Sequence, residues 1–337
     1  MKRLLYIGPA PQNTGGISIH IRRLSSLVKD DYLIDYVDEG HNKFDGVFNL
    51  RSGNIFKYIG KVIKADVVHI HSGTWLLRAF HILVCKLLFR KKILVTIHRD
   101  PNIEPHIRLT KRLLRKCNYA ILVNKEGLES MNCDSKCKYV LLPAFLPPNM
   151  DEEPSLPLEI EKWIGAVRKK HNRFLMCSNA WNLVIHNGED LYGLDMCIDA
   201  MSHLDNHYYL LFIVASNTDQ VERMEEYKRK IKDNHLEDNI MIWERPASFV
   251  RVIAECDLVL RATNTDGDAV SIREAMFFGK PVLASDIVKR PEGVILFKTR
   301  DTEDMLNKIC CIETQKKPIC SIGQVNYRQL YLSMYDN

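Results

Sequence analysis

The stretch "TDGDAVSIREAMFFGKPVLASD", Thr265–Asp286, holds two aspartates around a glycine, an apolar helical pattern opened by Ser271-Ile-Arg-Glu274, and a Gly279-Lys-Pro281 stop. A short strand, Val282–Ala284, follows. This is the second half of a strand–helix–strand unit. Ser271 and Glu274 stand at the S-x-x-E spacing of a capping box, which predicts a helix start there and gives both residues a structural role. Asp266 and Asp268 have no such role. Either gains about 0.3–1 kcal/mol from the positive end of the helix dipole. The same helix start could instead receive a diphosphate on its main-chain N–H groups. Carboxylates beside a phosphate repel it unless they point elsewhere, for instance at sugar hydroxyls. A ligand with phosphate on one side and polyol on the other, such as a nucleotide sugar, fits that arrangement. Asp266-Gly267-Asp268 also spells D-x-D, a pair of hard ligands suited to Mg²⁺ or Mn²⁺.

Outward from this unit, strand-like runs alternate with helical ones. "KRLLYIGPA", "DYLIDYVD", "ADVVHIHSG", "KKILVTIHRD", "NYAILVN" and "KYVLLPA" read as strands of the first half. "RFLMCSNA", "YYLLFIVAS", "IMIWER", "CDLVLRAT" and "PVLAS" read as strands of the second. Such alternation predicts parallel sheets covered on both faces. "PAFLPPNMDEEPSLP", Pro143–Pro157, carries five prolines and reads as a linker. The expected fold class is therefore α/β, with two Rossmann-like doubly wound domains facing a cleft. Their expected spans are 1–148 and 149–320, with 321–337 as a terminal helix.

Charge divides along the same line. Residues 1–150 hold 24 Lys+Arg against 12 Asp+Glu, and residues 151–337 hold 23 against 30. A basic half suggests an anionic partner or simply a solvated basic surface. Nucleic acid is disfavoured, because the basic runs lack interleaved aromatics and a recognised module. "WLLRAFHILVCKLLFRKK" and "HIRLTKRLLRK" are apolar-basic helical stretches. They suit either an anionic membrane surface or a core-facing helix with solvated edges. Met1–Pro9 reads as a strand rather than a secretory signal, and Trp75–Phe89 is too short and too charged to span a bilayer. The ten cysteines include no paired C-x-x-C motifs, so reduced, mostly buried thiols in a cytosolic protein are expected.

"GPAPQNTGG" joins the first strand to the first helix but departs from G-x-G-x-x-G. Gly15 and Gly16 suit either a tight turn at positive φ or the approach of a ligand to the main chain. His98 and His71 end predicted strands, where parallel sheets bind ligands, and Gly8 should share their crevice.

The run Asp266–Asp286 resembles the C-terminal signature of the family 4 retaining glycosyltransferases of the GT-B fold: E-x7-E, then Ala, an apolar pair, and G-x-P-V leading into a strand. Glu274 matches the second glutamate, and Asp266 occupies the place of the first with a side chain one methylene shorter. The Gly15–Gly16 loop, His98 and "VVHIHSG" match N-terminal landmarks, and the "TDGDAVS" version is similar to enzymes of bacterial surface-polysaccharide assembly, including capsule synthesis. The resemblance implies transfer of a sugar from a nucleotide-sugar donor to a glycan or lipid-linked saccharide acceptor, without cofactor or catalytic metal. It implies a cytoplasmic enzyme, peripheral on the inner face of the cell membrane. It assigns catalysis to His98, Asp266 and Glu274. Donor binding would fall to Gly15, Gly16, Asn179, Arg245, Gly267, Asp268, Ala269, Val270, Ser271 and Glu274. One departure stands out: "CSNAWNLVIHNGEDLYGLD", Cys177–Asp195, has no Arg or Lys where the family carries a diphosphate-neutralising pair. Gly193 stands in the glycine's place and Tyr192 in the lysine's, leaving amides, the helix dipole, Arg245 or Arg261 to balance the charge. An NDP-sugar 2-epimerase and a non-catalytic glycosyltransferase-like binding protein remain as alternatives.

Overall fold

The computed structural model describes residues 1–337 except 14, 99–105, 124, 132–136, 217–219, 268, 316–324 and 337, and omits the side chains of 125, 126, 130 and 315. It divides into two compact units, Met1–Leu146 with Gln324–Asn337, and Pro147–Gly323. The division falls inside the proline-rich segment.

In the first unit, strands β1 (Lys2–Gly8), β2 (Tyr32–Asp38), β3 (Phe48–Asn49), β4 (Val67–Ile70), β5 (Lys92–Ile97), β6 (Tyr119–Leu122) and β7 (Lys138–Leu141) form one sheet. All its pairings are parallel and its order is β3-β2-β1-β4-β5-β6-β7. Helices α1 (Gly16–Val28), α2 (Ile55–Lys64), α3 (Trp75–Leu83), α4 (Ile107–Leu114) and α5 (Lys125–Ser130) form the connections, with a π-helical turn at Val84–Leu88 extending α3. The period of two in β1 sends Leu5 and Ile7 into one hydrophobic cluster and Leu4 and Tyr6 into the other, so the sheet is apolar on both faces.

The second unit repeats the plan. Strands β8 (Phe174–Asn182), β11 (Tyr208–Ser216), β12 (Ile240–Trp243), β13 (Leu258–Arg261), β14 (Val282–Ser285) and β15 (Ile295–Phe297) form a parallel sheet in the order β12-β11-β8-β13-β14-β15. A small antiparallel hairpin, β9 (Ile185–His186) and β10 (Glu189–Asp190), stands apart from it. The connecting helices are α6 (Leu158–Arg168), α7 (Leu194–Met201), α8 (Val221–Asp233), α9 (Phe249–Glu255), α10 (Val270–Phe277) and α11 (Thr302–Gln315). Arg251 on α9 ties the proline-rich segment to this unit: its Nη2 donates to the carbonyls of Met150 (2.7 Å) and Glu153 (2.8 Å), and its Nε to that of Pro154 (2.8 Å).

Each sheet reverses direction once, at β1/β4 in the first and at β8/β13 in the second. Strands on either side of such a switch send their connections to opposite faces, which opens a crevice at the carboxyl ends. No helix among the described residues is long and apolar enough to cross a membrane. Six described cysteines are buried and free, and Cys310 and Cys311 are free and exposed. Cys133 and Cys320 lie outside the described residues.

The terminal helix, Tyr327–Asp336, packs on the first unit. Tyr327, Tyr331, Met334 and Tyr335 recur at helical spacing and are all buried. The Tyr335 hydroxyl lies 3.1 Å from that of Tyr6 and 2.8 Å from His69 Nδ1, while His69 Nε2 is 2.8 Å from the Thr96 hydroxyl. Tyr335→Ala is therefore expected to lower the unfolding free energy by about 3–5 kcal/mol, as loss of a buried aromatic does. Urea unfolding at neutral pH measures it.

Candidate functional site

The switch point of the second unit is organised around Asp266, which follows β13. Arg261, the last residue of that strand, donates from Nε to Asp266 Oδ2 (3.0 Å) and from Nη2 to Oδ1 (2.9 Å). Arg290, in the loop after β14, donates from Nη1 to Oδ2 (2.7 Å), and the Thr263 hydroxyl lies 3.2 Å from the same oxygen. Arg290 is fixed in turn by the Ser285 carbonyl (3.2 Å) and the Thr263 hydroxyl (3.2 Å). Burial alone pushes the Asp266 carboxyl up, but hydrogen bonds and charge from Arg261 and Arg290 hold it below the usual carboxylate range. Two guanidiniums around one carboxylate leave the cluster one positive charge in excess.

This arrangement corrects the expectation that Asp266 faces donor-sugar hydroxyls. Its side chain is only 8% exposed and its oxygens are engaged by protein groups. The capping box is also corrected. The N-cap of α10 is Ala269, in extended conformation and without a side-chain cap. Ser271 therefore falls inside the first turn rather than before it. The main-chain N–H groups of Val270 and Ser271 consequently start the helix without helical acceptors. Gly267 is exposed, Ala269, Val270 and Ser271 are half-buried, and Glu274 is buried on α10. Asp268 lies outside the described residues.

Across the switch, Gly193 caps α7 at φ +72°, and a Cβ there would stand 2.2 Å from the Ala262 carbonyl oxygen. Only glycine allows the loop after β8 to touch the end of β13. Its neighbour Tyr192 lies beneath the Arg261 guanidinium, 5.4 Å from carbon to ring centroid. Asn182 Oδ1 and Asn264 Oδ1 are buried acceptors with no protein partner among the described residues. Asn179 is half-buried in β8. Arg245 is not brought to this cluster. It follows the edge strand β12, is exposed, and stacks on Trp243 at 4.3 Å.

In the first unit the switch point joins Gly8, His71 and His98, as their strand-end positions suggest. A Cβ on Gly8 would stand 3.0 Å from that of His71, so glycine is again needed for close approach. His71 Nδ1 lies 3.1 Å from His98 Nε2. The ring of His20, on α1, meets that of His98 edge-on at 5.0 Å. His20 Nδ1 is 2.8 Å from the Ala144 carbonyl and so donates to it, which leaves Nε2 as a bare acceptor. That atom and His71 Nε2 are buried without partners among the described residues. Burial lowers the pKa of His69, His71 and His98 and brings that of His20 to about 4, so all four rings are neutral at pH 7. His20, His71 and His98 each place a ring nitrogen within 4.8 Å of the others, which would suit a three-imidazole metal site. The charges of Arg23 and Arg78, which act on His20 and His98, oppose a dication there.

Gly15 caps α1 at φ −70°, and neither it nor Gly16 has positive φ. The tight-turn reading of that pair is thus corrected, while the space around both glycines is open. Asp38 ends β2 in the place of a ribose-binding acid, but its carboxylate accepts from the N–H of Ala10 and Gly40 and from Asn49 Nδ2, each at 2.8 Å. Sequence reasoning missed His20, His69 and Arg290. His20 and His69 could have been suspected from polar residues inside otherwise buried periodicities, whereas nothing local marks Arg290.

Residues 184–314 match the family model described as glycosyl transferases group 1. No curated protein sequence matches the chain. Among solved structures, it is similar to Anabaena Alr3699/HepE in complex with UDP and glucose, with a TM-score of 0.65 at 14% identity over 100% of this chain and 96% of that one. It is also similar to a glycosyltransferase from Rickettsia africae, with a TM-score of 0.66 at 16% identity over 94% and 90%. Sucrose-phosphate synthase from Thermosynechococcus elongatus gives 0.62 at 14% identity over 99% and 95%. At these identities the likeness establishes the fold, the two-unit α/β GT-B fold.

Two expectations follow. Gly193→Ala should destabilise the second unit by at least about 1–3 kcal/mol, the usual cost of left-handed strain, before its clash is added; chemical denaturation reads it. Buried His20, His69 and His71 and half-buried His98 give a pH signature. Their folded pKa values lie below the unfolded value of about 6.5, so stability is full above that pH and falls as acid protonates the unfolded chain first. Each group contributes a slope of about 1.4 kcal/mol per pH unit below that point. Unfolding free energies measured between pH 7.5 and about 4.5 should show a first-unit slope well beyond that of a single proton.

Proposed function

We propose that the chain is a retaining, metal-independent glycosyltransferase of surface-polysaccharide synthesis, capsule included. It moves a sugar from a nucleotide-sugar donor to a glycan or lipid-linked saccharide acceptor, in the cytoplasm and peripherally at the inner face of the membrane. The observation that carries this reading is the positive cluster of Arg261, Arg290 and Asp266 beside the start of α10, whose N-cap residue Ala269 makes no side-chain cap. It lies within the segment matched by the glycosyltransferase model, and a structural neighbour of the same fold was solved with UDP and glucose.

The chemistry requires negative charge to grow on the departing diphosphate while the sugar becomes oxocarbenium-like. Preorganised donors at that phosphate supply the largest rate effect. In this chain the N–H groups of Val270 and Ser271 and the guanidinium of Arg261 take that task. Asp266 holds Arg261 by Nε and Nη2, which leaves Nη1 to address the phosphate. Arg290 is too buried to touch a ligand directly and acts by fixing Asp266. The cluster thereby does the work of the missing Arg/Lys pair. Glu274 is assigned to the ribose, and the bare carbonyls of Asn182 and Asn264 are acceptors for sugar or ribose hydroxyls. His98, neutral through burial, serves the donor sugar as a hydrogen-bonding group rather than as a cation.

A binding protein without turnover is the second reading, favoured by the absence of Arg and Lys between Cys177 and Asp195 and by the sequestered Asp266 carboxylate. A thermal-shift screen with UDP-, GDP-, ADP- and dTDP-sugars, followed by donor-consumption assays, tests both. The preferred donor at 100 times its Kd should stabilise by about 2.7 kcal/mol, and Glu274→Ala should diminish that response. Arg261→Ala should lower turnover on the order of 10²–10³-fold. Stabilisation without donor consumption selects the binding protein. Conversion of one nucleotide sugar into another without acceptor selects an epimerase, and no response to any donor refutes the proposal.

A further inference from the structure

A surface helix ordinarily turns its apolar side inward. Helix α3 and its π-helical turn bury one apolar row, Ala79, Ile82 and Cys85, but leave a second outside. Arg78 and His81 are buried, while Leu76 (63% exposed), Phe80, Leu83 and, in the π-helical turn, Leu87 and Leu88 (69%) face outward. Leu76, Phe80, Leu83 and Leu87 share one helical face, and with Leu88 the row covers about 18 Å at 1.5 Å per residue. The polar groups of the inward side are held in place: His81 lies 2.7 Å from the Tyr58 hydroxyl and 2.9 Å from Glu39 Oε1, which also accepts from Ser72 (2.5 Å). The inward side is thus already filled by Ala79, Ile82 and Cys85 together with these polar groups, and the leucines stand outside it.

Cations border this stripe. Helix α4 packs on α3 and exposes Arg108, Leu109 and Arg112, with Arg115 and Lys116 just beyond its end. Neither 75–92 nor 107–118 contains an acidic residue. At the leucine-rich end, Lys86, Leu87, Arg115, Lys116 and Lys138 line a cavity of about 630 Å³ with no carboxylate in its walls among the described residues. The cavity lies at the amino ends of β6 and β7, the sheet edge opposite Gly8, His71 and His98, so it is separate from the switch-point crevice.

We infer that this face seats the first unit on an anionic bilayer, with a lipid headgroup phosphate in the Lys86–Arg115–Lys116–Lys138 cavity and Leu83, Leu87 and Leu88 at the acyl boundary. Charge selects the occupant. A second copy pairing through the same face would set like charges opposite one another, whereas an anionic leaflet complements them. The inference deepens the peripheral-membrane part of the proposed function. Vesicle binding needs neither donor nor acceptor, so its failure leaves the transfer reading standing.

The experiment is flotation of the full chain with phosphatidylcholine vesicles with and without phosphatidylglycerol, at low and high salt, with inorganic phosphate as competitor. Wild type should float only with phosphatidylglycerol. Each cation near the surface is worth about fivefold, so Lys116→Glu/Lys138→Glu should lower partitioning at least about 25-fold. Leu83→Ser/Leu87→Ser should abolish the binding that survives high salt. Lys116→Gln/Lys138→Gln, a milder pair, should give the same ranking if the reversal variant loses its wild-type Tm. The inference is overturned by equal flotation with neutral vesicles, by absence of flotation, or by wild-type behaviour of all variants. It is also overturned if the leucine pair changes oligomeric state but not partitioning, which assigns the face to a second copy. Phosphate-induced stabilisation without flotation assigns the cavity to a free anion and overturns it too.

Discussion

The pairing of Asp266 with Arg261 and Arg290 fixes the second unit's switch point. Two loops and a strand end meet there: the loop after β13 brings the carboxylate, the end of β13 brings one guanidinium, and the loop after β14 brings the other. Charges this deeply placed are tolerated only with near-complete hydrogen bonding, and the Thr263 and Ser285 groups supply the remainder. The surplus positive charge beside the start of α10 is what makes the crevice suited to an anion. The shorter side chain of aspartate, where the resembling family has glutamate, goes with a carboxylate drawn back onto β13 instead of reaching outward.

The first unit solves the same topological problem with neutral groups. Its crevice is walled by His20, His71 and His98, whose protons are suppressed by burial and by Arg23 and Arg78. One crevice is cationic and carries main-chain donors, while the other offers uncharged imidazoles. The proposed function assigns the phosphate to the former and a sugar or its acceptor to the latter.

The fold was legible because parallel strands buried on both faces must be continuous apolar runs, and "KILVTI" and "YYLLFIVAS" are such runs. Short edge strands were not: β3 and β15 have two and three residues, too few to show a period. The β9–β10 hairpin carried a readable signal in Asn187-Gly188, both at positive φ, as a tight hairpin turn requires. The site was only half legible. Strand-end positions located His71 and His98, but Arg290 lies 24 residues from its partner Asp266, and no local pattern encodes that pairing. Ser271 and Glu274 had the spacing of a capping box, yet spacing does not decide where a helix begins. The extended backbone of Ala269 does. In α3, periodicity showed an amphipathic helix without revealing which apolar row faces inward: Ala79, Ile82 and Cys85 take the core beside Arg78 and His81, and the leucines do not.

The terminal helix has a consequence for synthesis of the protein. It covers Tyr6 and His69 on the first unit, although the whole second unit is encoded between them. A nascent chain emerging from the ribosome must therefore carry an unfinished first unit, one wall of its core open, throughout translation of its neighbour. Chaperone dependence should be concentrated in that interval, and the helix Tyr327–Asp336 acts as the latch that ends it.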